Sequence, residues 1–364
     1  MLKRLVNEAR FTLVLQTAGP VLVKSGHASI SGPDMTPVRT YRNGDWQPYL
    51  PGSSLKGVIR SHIEKVARTL NATPGVVCNP FQRLRREDIR EAGQRLLCDS
   101  YPHVFCGEKL HVREASDRPP GFSSWQRDTT PLNSETVYAE SCPLCRLFGS
   151  TSFIGRVSIG DAYLAGNSTV RTELRDGVGI DRLTGGAAHG AKFDLEAVPA
   201  GVRFTADVVL RNFECWQLGA LLLIVQDLKD GLIRIGSGRS RGLGAVRGWI
   251  YEGGESAESG WSHGVEIHYP GLAELPEPSC IWGLGRFLAD STYGTRADDA
   301  LTIGAQPELR RQGVRLVTAY VGDGLQRLTE AAIAVFSDRT KAWQVPTGMT
   351  WEALQWRPAG GRQS

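Results

Sequence analysis

Along residues 10–24, RFTLVLQTAGPVLVK, apolar and polar positions alternate and β-forming residues dominate, which predicts an opening strand. A loop rich in Gly, Ser and Pro follows, SGHASISGPDMTPVRTYRNGDWQPY, in which Asn43-Gly44 favours a turn. The period then changes. In LPGSSLKGVIRSHIEKVARTL the apolar residues Leu55, Val58, Ile59, Ile63, Val66 and Ala67 share one helical face, Ser53 or Ser54 is placed to cap, and Lys56, Arg60 and Lys65 lie partly outside.

Residues 72–141 lose this order: they are charged, cysteine-bearing and irregular, which predicts an inserted subdomain. Strand-like alternation returns in RLFGSTSFIGRVSIGDAYL. Residues 171–211 then hold two β-like arms around a Gly-Gly-Ala-Ala-His-Gly tip, the pattern of a long hairpin. WQLGALLLIVQDLKDGLIRIGSGRSRGLGAVRGWI predicts an apolar helix, a short strand, a glycine-arginine loop and a closing strand. The order strand, helix, insertion, strands, helix, strand fits an α+β, ferredoxin-like sheet with helices on one face. From 251 onward the signals weaken: EGGESAESGWSHG reads as a linker or loop, GLQRLTEAAIAVFSDRT as a helix, and no internal repeat is present.

Composition narrows the class. The chain has 364 residues, 41% hydrophobic and 22% charged, which excludes disorder and collagen-like repetition, and its 42 glycines and 19 prolines imply many turns. No apolar run approaches the roughly 20 residues of a membrane helix, and MLKRLVNEARFTLVLQT breaks its apolar run with charges and lacks a small-residue cleavage site, so the expectation is a cytoplasmic protein. Residues 1–250 carry 32 Lys+Arg against 24 Asp+Glu, net +8, whereas 251–364 carry 10 against 14, net −4. A polyanionic partner should therefore meet the first part. The nine tryptophans are scattered and read mainly as core.

Seven cysteines, an odd number without a secretion signal, argue against a disulfide framework. Cys142-Pro-Leu-Cys145 is the tight knuckle that lets two thiolates reach one metal, so structural Zn2+ is the leading expectation. Cys98 and Cys106 are the nearest further ligands, with Cys78 and His103 as substitutes. Two segments suit phosphates. Gly52-Ser53-Ser54-Leu55-Lys56-Gly57 offers hydroxyls and backbone N–H groups at a helix start, without the spacing of a nucleotide-hydrolysing loop. Gly236-Ser-Gly238-Arg239-Ser-Arg241-Gly242-Leu-Gly244 lets backbone amides approach an anion that two arginines neutralise.

Taken in order, YLPGSSLKGVIR, CPLCRLFGS, GIDRLTGGAAHGAKFDLEAVPAG and IGSGRSRGLGAV resemble the RAMP superfamily of CRISPR proteins, most of all the backbone subunit of type III effector complexes or its type IV relative. The resemblance covers roughly 10–250. It implies an RNA-recognition-motif-like palm, over 1–71 and 142–250, and a β-hairpin thumb at about 170–205; the inserted subdomain over 72–141 with its expected zinc site is read from its cysteines, and 251–364 is a C-terminal extension of unknown role outside the resemblance. The resemblance implies as partners a CRISPR guide RNA, complementary target RNA, other effector subunits and further copies or paralogues of the chain, with no membrane. Ser53, Ser54, Lys56 and Arg60 are then contacts to the guide, as are Arg239 and Arg241. Ile180, Leu183 and Thr184 are the thumb elements nearest a displaced nucleotide.

In that family catalysis is attributed to an aspartate before the LPGSSLKG motif, here Asp34 in Ser-Gly-Pro-Asp-Met-Thr-Pro-Val. Its carboxylate would accept a 2′-hydroxyl proton or help hold Mg2+ or another divalent ion. The arginine-aspartate pair that usually follows is Arg39-Thr40 here. This departure leaves open a second expectation, a non-catalytic guide-binding subunit of a type IV or divergent type III complex. Asp45 is a second candidate carboxylate, and His27, His62 and His189 are the other groups suited to acid–base work.

Overall fold

The computed structural model describes residues 3–26, 32–73, 76–78, 134–139, 141–150, 153–166, 170–253, 262–272, 274, 277, 279–288 and 292–344. The chain opens with β1 (Glu8–Thr17), then a small hairpin, β2 (Arg39–Arg42) and β3 (Asp45–Pro48), and the helix α1 (Gly52–Leu70). Beyond the insertion come α2 (Ser134–Ala139), α3 (Pro143–Phe148), the short strands β4 (Gly149–Ser150), β5 (Phe153–Ile154), β6 (Val157–Ile159) and β7 (Tyr163–Leu164), and a long hairpin, β8 (Glu173–Ile180) with β9 (Ala187–Ala197). Next are β10 (Arg203–Arg211), α4 (Cys215–Lys229) and β11 (Val246–Ile250). The C-terminal part adds β12 (Val265–Pro270), β13 (Cys280–Trp282), β14 (Ala300–Thr302), β15 (Glu308–Gln312), β16 (Arg315–Tyr320) and α5 (Gly322–Ala342).

The pairing resolves into a β-α-β-β-α-β unit. β1 is hydrogen-bonded to β10 on one side and, through Leu13–Thr17, to β11 on the other, while β6 and β7 pair with the far edge of β10. The antiparallel order β11-β1-β10-β6/β7 is that of a ferredoxin-like sheet, with α1 and α4 as its two helices. Alternation along β1 sends Ala9, Phe11, Leu13 and Leu15 into the core, where they meet Leu55, Ile59 and Ile63 of α1 and the apolar residues of α4. A capping box, in which Glu214 and Gln217 exchange hydrogen bonds, starts α4.

The C-terminal part is no appendage. β12 pairs with Glu8–Arg10 of β1, end to end with β11 along the same edge, and β16 and β15 follow, which makes one eight-stranded sheet. α5 lies where the pattern at 324–340 predicts a helix and packs on α4 at Gly219, where any side chain would overlap the backbone of Ala332. α4 is thereby covered on both sides, which explains its nearly continuous burial.

Three local expectations are corrected. α1 begins at Gly52 with Pro51 before it, and neither Ser53 nor Ser54 caps it; Asp161 Oδ1 accepts the Gly52 N–H at 2.7 Å, supplying from a distant loop the acceptor that a serine would have provided. The long hairpin turns at Asp181–Gly186, held by the Gly185 and Leu183 N–H groups on Asp181, so the Ala-Ala-His-Gly run lies on β9 and not at the tip. The short strand expected before the glycine-arginine loop is a single bridge, Arg234 to Ala245.

Candidate nucleic-acid interface and cysteine centre

Asp34 lies at the base of the long hairpin. Its exposed carboxylate accepts the Asp194 backbone N–H at 2.9 Å through Oδ2, and the next residue, Met35, bridges Leu195 in parallel. Asp194 and Asp176, on facing strands, lie beside it with Lys192 3.7–3.9 Å from their carboxylates. The hydrogen bond that a protonated Asp194 gives to Asp176, together with burial and the charges of Asp176 and Asp34, raises the Asp194 pKa above its ordinary value. Asp45, by contrast, accepts the Trp46 N–H at 2.7 Å in the β2–β3 turn. His62 is bound to Asp227 at 2.7 Å, tying α1 to α4, while His189 is exposed on β9 and His27 lies outside the described residues.

The glycine-arginine loop reaches the same hairpin. Gly236, Gly238, Gly242 and Gly244 all have φ between +71° and +88°, the left-handed region that a Cβ disfavours. The folded loop exposes Arg239 and Arg241, and the Arg241 guanidinium stands 5.1 Å above the Phe193 ring of β9. Ile180, Leu183 and Thr184 are exposed at the hairpin's far end, Leu183 almost completely at 97%. Thr184 donates to Asp181 Oδ2 at 3.1 Å within the turn.

At the start of α1 a cavity of about 580 Å³ is lined by Ser53 and Lys56 together with Lys3, Arg4, Arg156 and Arg211. Burial and the nearby Arg60 lower the Lys56 pKa, as expected where cations converge. Ser54 is half-buried beside it. The sequence pattern finds Ser53 and Lys56 but misses the other four cations, because they come from the N-terminus, the β5–β6 link and the end of β10 and meet only through the fold. One carboxylate, Asp161, already occupies the first helical amide. Trp46 is a second omission: with Tyr41 it forms an exposed edge-to-face pair, 5.7 Å between rings, so the reading of the tryptophans as core fails there.

The cysteine knuckle forms as its spacing predicts. Pro143 opens α3, and Cys142 Sγ accepts the Cys145 N–H at 3.4 Å, which turns both sulfurs to one side. The third sulfur belongs to Cys78: the three lie within 4.8 Å of one another, with Cys78 Sγ and Cys145 Sγ 3.4 Å apart. That separation is too long for a disulfide and near the roughly 3.8 Å between corners of a tetrahedral zinc–thiolate site. Three buried thiols thus fit three corners of a metal site. Cys98, Cys106 and His103 lie outside the described residues. Arg60 points into this centre and away from the cavity at the helix start: Nη2 donates to Cys145 Sγ at 3.3 Å, Nη1 to Gly149 O at 3.0 Å and Nε to Glu64 at 2.8 Å. Burial works against its charge, but Cys145 and Glu64 outweigh it and raise the Arg60 pKa.

Among the described residues no helix is long and apolar enough to cross a membrane. A search of curated proteins gives no match to the chain. A family model of the RAMP superfamily matches residues 14–247, a span that begins within β1 and ends within β11 and so takes in α1, α4, β10, the long hairpin, the knuckle and the glycine-arginine loop. On that match the chain belongs to the RAMP superfamily of CRISPR-associated proteins, a membership that points to CRISPR-related RNA binding and to partners in an effector complex.

Proposed function

We propose that this chain is a guide-RNA-binding backbone subunit of a type III CRISPR effector complex and cleaves target RNA paired to the guide. The reading rests above all on Asp34, whose exposed carboxylate is fixed by the Asp194 N–H at the base of the long hairpin. In this reading β8 and β9 are the thumb, and Ile180, Leu183 and Thr184 wedge a nucleotide out of the guide–target duplex. A-form geometry keeps a 2′-hydroxyl out of line with its own phosphate, and displacing the nucleotide removes that restraint. The 2′-oxygen then bonds to phosphorus as Asp34 takes its proton, the phosphorus–5′-oxygen bond breaks, and the departing 5′-oxygen takes a proton from water, giving a cyclic phosphate and a 5′-hydroxyl. A divalent ion such as Mg2+ bound at Asp34 would neutralise charge on the phosphoryl oxygens. Ser53, Ser54, Lys56, Arg239 and Arg241 hold guide phosphates, while guide pairing supplies sequence specificity.

Cys78, Cys142 and Cys145 hold a structural zinc ion, with the fourth ligand from Cys98, Cys106 or His103. A second reading, a non-catalytic subunit of a type IV or divergent type III complex, is favoured by Thr40 and by Arg39, which is held by Glu196 and Thr172. Cleavage of a labelled RNA complementary to the co-purified guide, with magnesium and with chelator, in the intact complex and in one carrying Asp34→Ala, decides between the two. Regular metal-dependent cuts that vanish in the variant are expected. Target bound tightly and left intact by both complexes would make the chain a scaffold.

A further inference from the structure

We propose that Arg60 is a positioning residue of the cysteine centre, clamping it to the helix that carries the guide-binding residues. The proposal rests on the zinc reading of Cys78, Cys142 and Cys145. On α1, Arg60, Glu64 and Arg68 follow one another at i, i+4 and i+8 on one face. Glu64, buried, accepts Arg60 Nε at 2.8 Å and lies 3.6 Å from Arg68 Nη2. The two arginines then reach both ligand segments of the centre, Arg60 to Cys145 Sγ at 3.3 Å and to Gly149 O at 3.0 Å, Arg68 to the Cys78 carbonyl at 3.1 Å. The ligands come from segments 67 residues apart in sequence, and this ladder joins them to a single rigid element.

The chemistry suits a metal thiolate. Three or four thiolates around Zn2+ leave a net negative charge in a buried place, and a guanidinium offers both compensating charge and a planar fork of donors that an ammonium lacks. An N–H···S bond draws density from the sulfur lone pairs and fixes the direction of the Sγ, the role of outer-shell partners generally.

The test uses the full-length protein, Arg60→Ala and Arg60→Lys, each loaded with cobalt(II) and separately with zinc. Wild type is expected to take up about one ion per chain. Arg60→Ala should fold, as judged by circular dichroism, but hold the metal roughly 10- to 100-fold more weakly. Its thiolate-to-cobalt charge-transfer band should move to lower energy, because Cys145 loses a hydrogen-bond donor. Arg60→Lys should fall between, since it restores one donor and not the fork. The salt dependence of RNA binding should stay at its wild-type slope in the metal-loaded variants. Unchanged affinity and an unmoved band in both variants would overturn the proposal, as would a flattened RNA salt slope with metal binding intact, which would make Arg60 a phosphate contact. Wild-type protein that takes up neither ion would remove the zinc reading itself.

Discussion

Replacing Gly236 by alanine probes how the glycine-arginine loop is held where its arginines can face RNA. Gly236 sits at φ +88°, and a Cβ there would stand 2.9 Å from the Leu22 carbonyl carbon and nearer still to its oxygen. That same oxygen accepts the Ser237 N–H at 2.8 Å, one of the bonds that stitch the loop to the segment after β1. A left-handed residue with a Cβ incurs about 1–2 kcal/mol, and overlap with a backbone carbonyl, which cannot rotate away, about 1–3 kcal/mol. The substitution should therefore destabilise by roughly 3 kcal/mol and lower the melting temperature by about 4 °C. Gly242 supplies the control: its φ is +85°, yet nothing lies within 4 Å of its would-be Cβ, so Gly242→Ala should show the backbone cost alone. Thermal melts of both variants, with RNA affinity measured well below either transition, give the comparison. Gly236→Ala should also bind RNA more weakly, because Arg239 and Arg241 move with the loop. Equal losses in the two variants, or a Gly236→Ala protein that melts and binds like wild type, would refute the close-approach argument.

Three further outcomes are expected. Alanine at Lys56, Arg239 and Arg241 together should flatten the dependence of log affinity on log salt by about 2 for single-stranded RNA, with little change in sequence preference; an unchanged slope would remove them from the interface. Burial, reinforced by Glu214, lifts the pKa of Asp299 to about 6 despite the N–H groups of Cys215 and Gly285 on its carboxylate. The folded protein thus binds more protons than the unfolded chain between about pH 4 and 6, so stability should fall as pH rises through that window. Denaturant melts across that range should be flatter in Asp299→Asn, and identical slopes would dismiss the effect. Gly219→Ala should loosen α5 from α4 and lower stability by about 1–2 kcal/mol, helix propensity offsetting part of the overlap with Ala332; a stabilised variant would show that α5 adjusts freely.

What the sequence reveals tracks how locally each feature is determined. β1, α1, α4 and β11 are written in period and composition, and the knuckle in the four residues Cys142–Cys145, because each is satisfied by its own neighbours. The helix cap at Gly52 is not, since its acceptor, Asp161, lies 109 residues away. The same holds for the cavity at the start of α1, where Arg211 arrives at the end of β10 and Lys3 and Arg4 from the chain's beginning. The strands after 264 are weak by pattern for a related reason. β12 does alternate, Val265, Ile267 and Tyr269 with Glu266 and His268, but over a short segment, and both of its faces are buried because the fold covers the polar positions as well.

Arg60 shows where motif reasoning and structure part. By spacing it belongs with Ser53, Ser54 and Lys56, because all four lie within the first turns of one amphipathic helix. Position along that helix separates them: Arg60 shares a face with Lys56 but stands roughly 6 Å further along the axis, so the first meets α3 while the second meets the cavity at the helix start. The deciding partner is Cys145, and no property of residues 52–70 announces it. A basic residue next to a phosphate-binding motif is thus assigned by what its guanidinium can reach. Here Nε, Nη1 and Nη2 each already give a hydrogen bond, to Glu64, Gly149 and Cys145, so the guanidinium is held against the cysteine centre by all three of its nitrogens. Arg211 of the cavity is likewise engaged, by Glu8 at 2.6 Å, so in the proposed reading the electrostatic part of RNA binding falls first to Lys56, Arg239 and Arg241.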